Sequence, residues 1–210
     1  MSEPLSVAEV QSALGATDVQ MADLEAFRLL LGEWNASMNL VGPSAMESFW
    51  SRHVLDSGQL LSVAPEALTW ADLGAGAGFP GLVLAILLKD KPGARVHLVE
   101  SMAKRCRFLS AAVERLGLPA TVHNARAENL GLAVEVVTAR AVAPLVKLLE
   151  YARPYLAKGA TGLFLKGQDV GSELTEATKY WKFEAFLTAS LSHPDGRILQ
   201  VKGLKRVRKV

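Results

Sequence analysis

The sequence predicts an α/β fold: a mostly parallel, Rossmann-like sheet that closes with an antiparallel terminal hairpin and is preceded by an N-terminal helical cap. Three observations predict it. From Leu68 onward short apolar runs alternate with helical segments, the texture of βαβ units. A glycine-dense stretch, Asp72 to Gly81, stands where the first strand meets a helix. Near the end, two strand-like runs flank the turn sequence Pro194-Asp195-Gly196.

The cap is expected over residues 1–66, and the remaining residues, 67–210, form the ligand-binding core of one compact unit. In the cap, Leu24, Phe27, Leu30, Leu31 and Trp34 recur at three- and four-residue steps and line one helix face. A second helix is expected from Ser44, with Ser44 and Glu47 as a capping box, through Phe49 and Trp50 toward Leu60. In the core, strands are expected at Thr69–Leu73, Arg95–Val99, Ala120–His123, Glu135–Ala139 and Gly162–Lys166. Helices fit between and after them, at Pro80–Leu88, Met102–Leu116, Pro144–Leu156 and Ser172–Tyr180, with Pro80 and Pro144 in first turns. The hairpin pairs Phe183–Ser190 with Arg197–Val201.

Composition bounds the function. With 210 residues, half of them hydrophobic and 21% charged, the chain has the balance of a folded globular domain, too short for two catalytic domains. The longest apolar run, Leu82–Leu88, is far below the roughly 20 residues of a membrane span. No secretory pattern opens the sequence, and a single cysteine, Cys106, suits a reducing compartment and forms no internal disulfide, so a cytoplasmic protein is expected, with a monomer as the expected assembly. A net charge of +2 is too mild to announce nucleic acid. The last ten residues, however, hold Lys202, Lys205, Arg206, Arg208 and Lys209 without an acid, either a solvated tail or a phosphate contact.

In Asp72-Leu73-Gly74-Ala75-Gly76-Ala77-Gly78-Phe79-Pro80-Gly81, glycines permit a sharp turn and bring bare backbone against a ligand. Gly76, Gly78 and Gly81 also match the dinucleotide pattern, which leaves an NAD-dependent oxidoreductase as an alternative. Two features favour S-adenosylmethionine: Asp72 would meet a cationic methionine end and repel a pyrophosphate, and Phe79-Pro80 replaces the small residues of a pyrophosphate turn. Glu100, after the second strand, can accept from ribose hydroxyls. The polar loop Asn124-Ala125-Arg126-Ala127-Glu128, after the third strand, is placed to line an adenine pocket, with a surface acid as the other reading of Glu128. No metal-ligand set is expected.

The end of the fourth strand, Thr138 to Pro144, should face the transferring methyl. It lacks the Asp/Asn-Pro-Pro-aromatic segment that accepts from an exocyclic amine, and Cys106, inside a helix, is misplaced as a nucleophile for pyrimidine carbon. A target that is nucleophilic unaided remains, and guanine N7 is a good candidate because it has an in-plane lone pair and no proton to lose. Rate would then come from alignment, which can supply on the order of 7–11 kcal/mol. Arg140 is expected to touch cofactor or phosphate, since an N7 held by arginine cannot attack. Lys166 can bind a phosphate or guanine O6.

In combination, Trp34-Asn35, Asn39-Leu40, Arg52-His53-Val54-Leu55-Asp56-Ser57, the loop DLGAGAGFPG, Val99-Glu100-Ser101, Lys104-Arg105, Phe108-Leu109, Arg126-Ala127-Glu128, Arg140-Ala141 and Leu165-Lys166-Gly167 resemble a known family. It is the bacterial small-subunit (16S) ribosomal RNA guanine-N7 methyltransferase family, RsmG or GidB. The resemblance covers most of the chain. It implies the class I methyltransferase fold, S-adenosylmethionine as donor, and small-subunit RNA or the small ribosomal subunit as partner. It also implies that Gly74 and Phe79 contact the cofactor, that Ala127 and Glu128 flank its adenine, and that Arg140 closes the site. His53, Asp56 and Ser57 would connect cap to cofactor side. Lys104, Arg105, Lys166, Arg206, Arg208 and Lys209 are the candidates for RNA contact. Ala139 stands where the family usually has serine, Ser37 where it often has lysine, and the sequence stops short of the basic, proline-containing tail of many relatives. A non-catalytic ribosome-assembly factor that kept the fold is the remaining alternative.

Overall fold

The computed structural model describes residues 5–207, so Arg208 and Lys209 lie outside the described residues. The cap begins with α1 (Val7–Leu14) and α2 (Asp18–Met38), each opened by a reciprocal capping box, Ser6 with Glu9 and Thr17 with Gln20. The expected box at Ser44 does not form. Pro43 opens the five-residue α3 (Pro43–Glu47) behind Gly42, so Ser44 already lies inside the helix, and its carbonyl accepts from Ser48. A proline in the first turn needs no donor, which removes the need for a side-chain cap.

The single helix expected from Ser44 to Leu60 is also broken. Phe49–Val54 winds as a π-helix, followed by α4 (Leu55–Gly58) and α5 (Leu60–Val63). Phe49 and Val54, five residues apart, are both fully buried. A regular helix would turn them about 140° apart, so the wider turn lets both reach the core. It carries Arg52 and His53, and π turns recur where a helix must re-aim functional side chains.

Among the described residues, seven strands form one sheet: β1 (Thr69–Leu73), β2 (Arg95–Glu100), β3 (Ala120–Asn124), β4 (Val136–Arg140), β5 (Thr161–Lys166), β6 (Trp181–Ala189) and β7 (Arg197–Arg206). Their order is β3-β2-β1-β4-β5-β7-β6, with the first five parallel and β7 antiparallel to both neighbours. β7 runs five residues past its expected end because it continues to pair with β6 beyond the edge of β5. The crossover helices are α6 (Gly81–Leu87), α7 (Ala103–Leu116), α8 (Leu145–Leu156) and α9 (Val170–Ala177). Pro80 and Pro144 stand at the N-caps, one residue outside the helices in which they were expected.

Alternate strand residues divide between two cores. Trp70, Leu98, Val136 and Leu163 pack with α6, α7 and the cap residues Leu24, Phe27, Leu31 and Phe49. Ala71, Leu73, Val99, Val137 and Phe164 face Leu145, Leu148, Leu149 and Tyr155 of α8. Burial on both faces explains why the strands read as continuous apolar runs. Every residue of α6 is buried, and each large apolar side chain there contributes roughly 1.5–3 kcal/mol. The strand order reverses between β1 and β4, and in open α/β sheets the crevice at that reversal, beyond the carboxyl ends of the strands, is where ligands bind.

Candidate active site

The loop after β1 leaves the sheet through Gly74 and Ala75, whose N–H groups donate to Val99 O at 2.8 and 3.1 Å. Gly76 then takes φ +55°, and a Cβ built there would point into open space, with only Gly74 O nearby at 3.6 Å. Bare backbone therefore faces the crevice. Glu100, 4% exposed, holds this shape: Oε2 accepts from Gly76 N at 3.1 Å, and Oε1 accepts from Met102 N at 2.8 Å. Arg105 lies 3.9 Å from Oε2. Each carboxylate oxygen keeps a lone pair for a hydroxyl donor.

These residues line a cavity of about 400 Å³ with Leu40 and Val41 of the cap, Phe79, Arg140, Ala141 and Val142. An inner lobe of about 150 Å³ continues past Gly74, Ser101 and Val142 to Ala127, Glu128 and Tyr151. Gly74, Gly76, Phe79, Glu100, Ala127, Glu128 and Arg140 are thus brought together around one cleft. Gly78, expected with them, does not line it; it packs against Leu82, where a Cβ would have no room.

Asp72 is placed differently. Its side chain is fully buried beneath the loop and does not line the cleft; Oδ2 accepts from Gly81 N at 2.9 Å, and Oδ1 has no partner. Burial pushes its pKa up to about 7, against the pull of the Gly81 hydrogen bond and the Arg140 charge. The folded value lies above the ordinary 3.8, so the carboxyl's contribution to stability is complete below pH 3.8 and is lost as pH rises to about 7. Asp72→Asn keeps an acceptor for Gly81 and should remove this loss. Thermal melts from pH 4 to 8 should show a difference from the parent that grows with pH and levels off above about 7; parallel curves would contradict it.

Beyond Arg140 lies a second, outer cavity of about 550 Å³, lined by Arg52, His53, Asp56, Arg140, Ala141, Lys166, Glu173 and the β6–β7 turn from Ser192 to Gly196. Arg140 and Ala141 belong to both cavities. Ala141 takes φ +53°, a left-handed conformation costly for alanine, and such strain concentrates at functional sites. Arg140 is fixed from three sides. It donates to His53 Nδ1 at 2.6 Å, lies 3.8 Å from Asp56 Oδ2, and stacks 4.9 Å above the Phe79 ring. His53 stacks on the same ring, 4.9 Å between centroids. Since guanidinium only donates, His53 Nδ1 must accept and Nε2 must carry the proton. Burial, then the charges of Arg140 and Arg52, lower the His53 pKa to about 4, so the ring is neutral.

Asp56 extends the network. Its Oδ1 accepts from Ser192 Oγ at 2.7 Å, Gln59 Nε2 at 3.0 Å and Ser190 Oγ at 3.3 Å, and Gln59 Oε1 accepts from Leu191 N at 2.7 Å. The cap is thereby pinned to the β6–β7 turn, 131 or more residues away. Gln59, Ser190 and Ser192 carry no pattern in the sequence that marks them, because their partners lie on a distant part of the chain. Ser57 instead donates to His53 O within its own helical segment. Cys106, buried, donates to Glu100 O, as a structural thiol does.

The basic candidates separate. Lys166 joins the outer cavity and Arg105 the inner cleft. Lys104 reaches the carbonyl of Ser37 at 3.5 Å. Arg206, over the Trp181 ring, ends β7 nine residues beyond Arg197, roughly 30 Å along the strand. Because Arg197 pairs with Lys166 at the site end of the sheet, Arg206 lies toward the opposite edge.

A model of the family described as rRNA small subunit methyltransferase G (GidB) matches residues 20–204, most of the chain. The chain belongs to this family. The rRNA small subunit methyltransferase G of Caulobacter vibrioides (strain NA1000 / CB15N) is 62% identical over 204 residues, covering 97% of this chain and 94% of that protein. Among solved structures, cofactor-bound Rv0187 from MTB shares the fold with a TM-score of 0.58 at 17% identity, covering 96% of this chain and 98% of that one. A SAM-dependent methyltransferase from Aquifex aeolicus has a TM-score of 0.53 at 15% identity over 78% of this chain and 95% of its own. Membership in the methyltransferase G family removes the oxidoreductase reading of the glycine loop.

Proposed function

We propose that the chain transfers the methyl group of S-adenosylmethionine to N7 of a guanine in small-subunit ribosomal RNA, by alignment and without a general base. The observation that carries this reading is the junction at Arg140 and Ala141: a long cleft at the strand-order reversal meets a wider outer cavity at one point. The cleft residues fit the cofactor. Glu100 offers acceptors for a diol, the loop offers backbone with no side chain in the way at Gly76, and the lobe at Ala127, Glu128 and Tyr151 suits a flat heterocycle. When bound, the cofactor supplies an electrophilic methyl on a cationic sulfur.

The chain's own residues position. Phe79 anchors His53 and Arg140 from below, and Asp56 holds Arg140 from the side, so the wall between the cavities is preorganised. His53 is poorly suited to take a proton, because Nδ1 is engaged and Nε2 already carries one. That favours a nucleophile with no proton to lose.

Unmodified small ribosomal subunits and tritiated S-adenosylmethionine test the proposal. Label should enter the RNA and map, by base-specific cleavage and mass spectrometry, to N7 of a guanine. Label on carbon or on an exocyclic nitrogen would overturn the chemistry, and cofactor binding without label would favour the assembly factor.

A further inference from the structure

We infer that the ion pair Lys166–Glu173 reads the Watson–Crick edge of the target guanine, Lys166 donating to O6 and Glu173 accepting from N1–H and the 2-amine. This rests on the guanine-N7 reading above and assigns the group that selects the base.

The pair stands in the outer cavity beside the junction. Lys166 ends β5 one residue past Leu165, the register partner of Arg140, so the two side chains come from neighbouring strand ends. Glu173 comes from the first turn of α9. Lys166 Nζ lies 2.6 Å from Glu173 Oε2, and the same oxygen accepts from Leu145 N at 2.6 Å. Both contacts fall on Oε2, which leaves Oε1 to the cavity that the residue lines. The side chains are only 10% and 24% exposed. A base entering the cavity therefore meets one ammonium donor beside one carboxylate acceptor, largely screened from water.

Guanine presents an acceptor, a donor and a donor in that order: O6, N1–H and the 2-amine. The pair is its complement. Adenine presents an amine where the lysine points and a bare N1 where the carboxylate points, so it would set donor against donor and acceptor against acceptor. Engagement of O6, N1–H and the 2-amine leaves the N7 lone pair free, on the adjoining edge next to O6. Charge favours the same arrangement. Attack by N7 puts its lone pair into the new N–C bond while the sulfur–carbon pair departs with sulfur, so positive charge moves onto the guanine ring and no proton moves. A carboxylate against N1–H and the 2-amine faces that developing charge.

The test replaces the methylated guanine, in ligated small-subunit RNA, by inosine, which lacks the 2-amine, or by 6-thioguanosine, whose sulfur accepts poorly. A hydrogen bond to a charged group corresponds to roughly ten- to a hundredfold in kcat/KM, so the parent enzyme should lose that much on inosine. Glu173→Gln, which retains an oxygen for Leu145 N, should methylate guanine and inosine within about threefold of each other. Lys166→Met should lose the preference for guanine over 6-thioguanosine and keep the preference over inosine. Variants that only disturb folding would slow all substrates in proportion. Undiminished inosine discrimination in Glu173→Gln, or none in the parent, would overturn the inference, as would an unchanged 6-thioguanosine ratio in Lys166→Met. A parent enzyme that labels another atom would instead overturn the proposed function.

Discussion

Arg140→Ala is expected to lower methyl transfer by at least about a hundredfold, the scale of losing alignment at a reacting centre. The residue forms the wall common to both cavities, and three partners depend on it. Its removal frees Asp56, only 18% exposed, from its countercharge and leaves His53 Nδ1 without its donor. That should cost on the order of 1–3 kcal/mol, a fall of several degrees in melting temperature for a chain of this size. Arg140→Lys keeps the charge but not the planar fork that touches His53, Asp56 and Phe79 together, so it should restore stability more than rate. Single-turnover label incorporation, calorimetry with S-adenosylhomocysteine and thermal melts separate the effects. Transfer within threefold of the parent would remove Arg140 from the centre of the site.

Gly81→Val should produce the largest loss of stability. A Cβ at this position would stand 2.7 Å from Asp72 Oδ2 and 3.0 Å from Asp72 Cβ, and closer still to Leu98. Neither neighbour can retreat: Asp72 and Leu98 lie on paired central strands and are fully buried. Overpacking here should cost on the order of 3 kcal/mol, a melting-temperature drop of roughly 6–12 °C. Displacing the start of α6 also moves the loop that faces the cleft, so S-adenosylhomocysteine should bind more weakly. A melt within 2 °C of the parent, measured at pH 6 and 8, would show that the strand and helix are not in tight contact.

The last glycine of the loop illustrates how far the amino-acid pattern reached. Its place between strand and helix announced a turn, and Gly76 does expose backbone to the cleft. Gly81, however, serves packing, which only the neighbours across the sheet reveal. Asp72 teaches the same lesson. Its position in the chain suggested a carboxylate facing a cation, yet the geometry spends one oxygen on Gly81 N and buries the other. At Ser44 a local capping pattern was overruled by the preceding proline, while the reciprocal caps at Ser6 and Thr17 formed.

What the sequence by itself determined was whatever depends on near neighbours: the two- and 3.6-residue periods that make strands and helices, the glycine turn, the hairpin, and the motifs that mark the methyltransferase G family. Tertiary structure alone decided which distant groups meet. Asp56 and Gln59 find Ser190, Leu191 and Ser192, and His53 finds Arg140, only once strand order brings the ends of β4 and β7 together beside the cap. Periodicity specifies which way a side chain faces; the partner it meets there depends on the order in which the strands assemble.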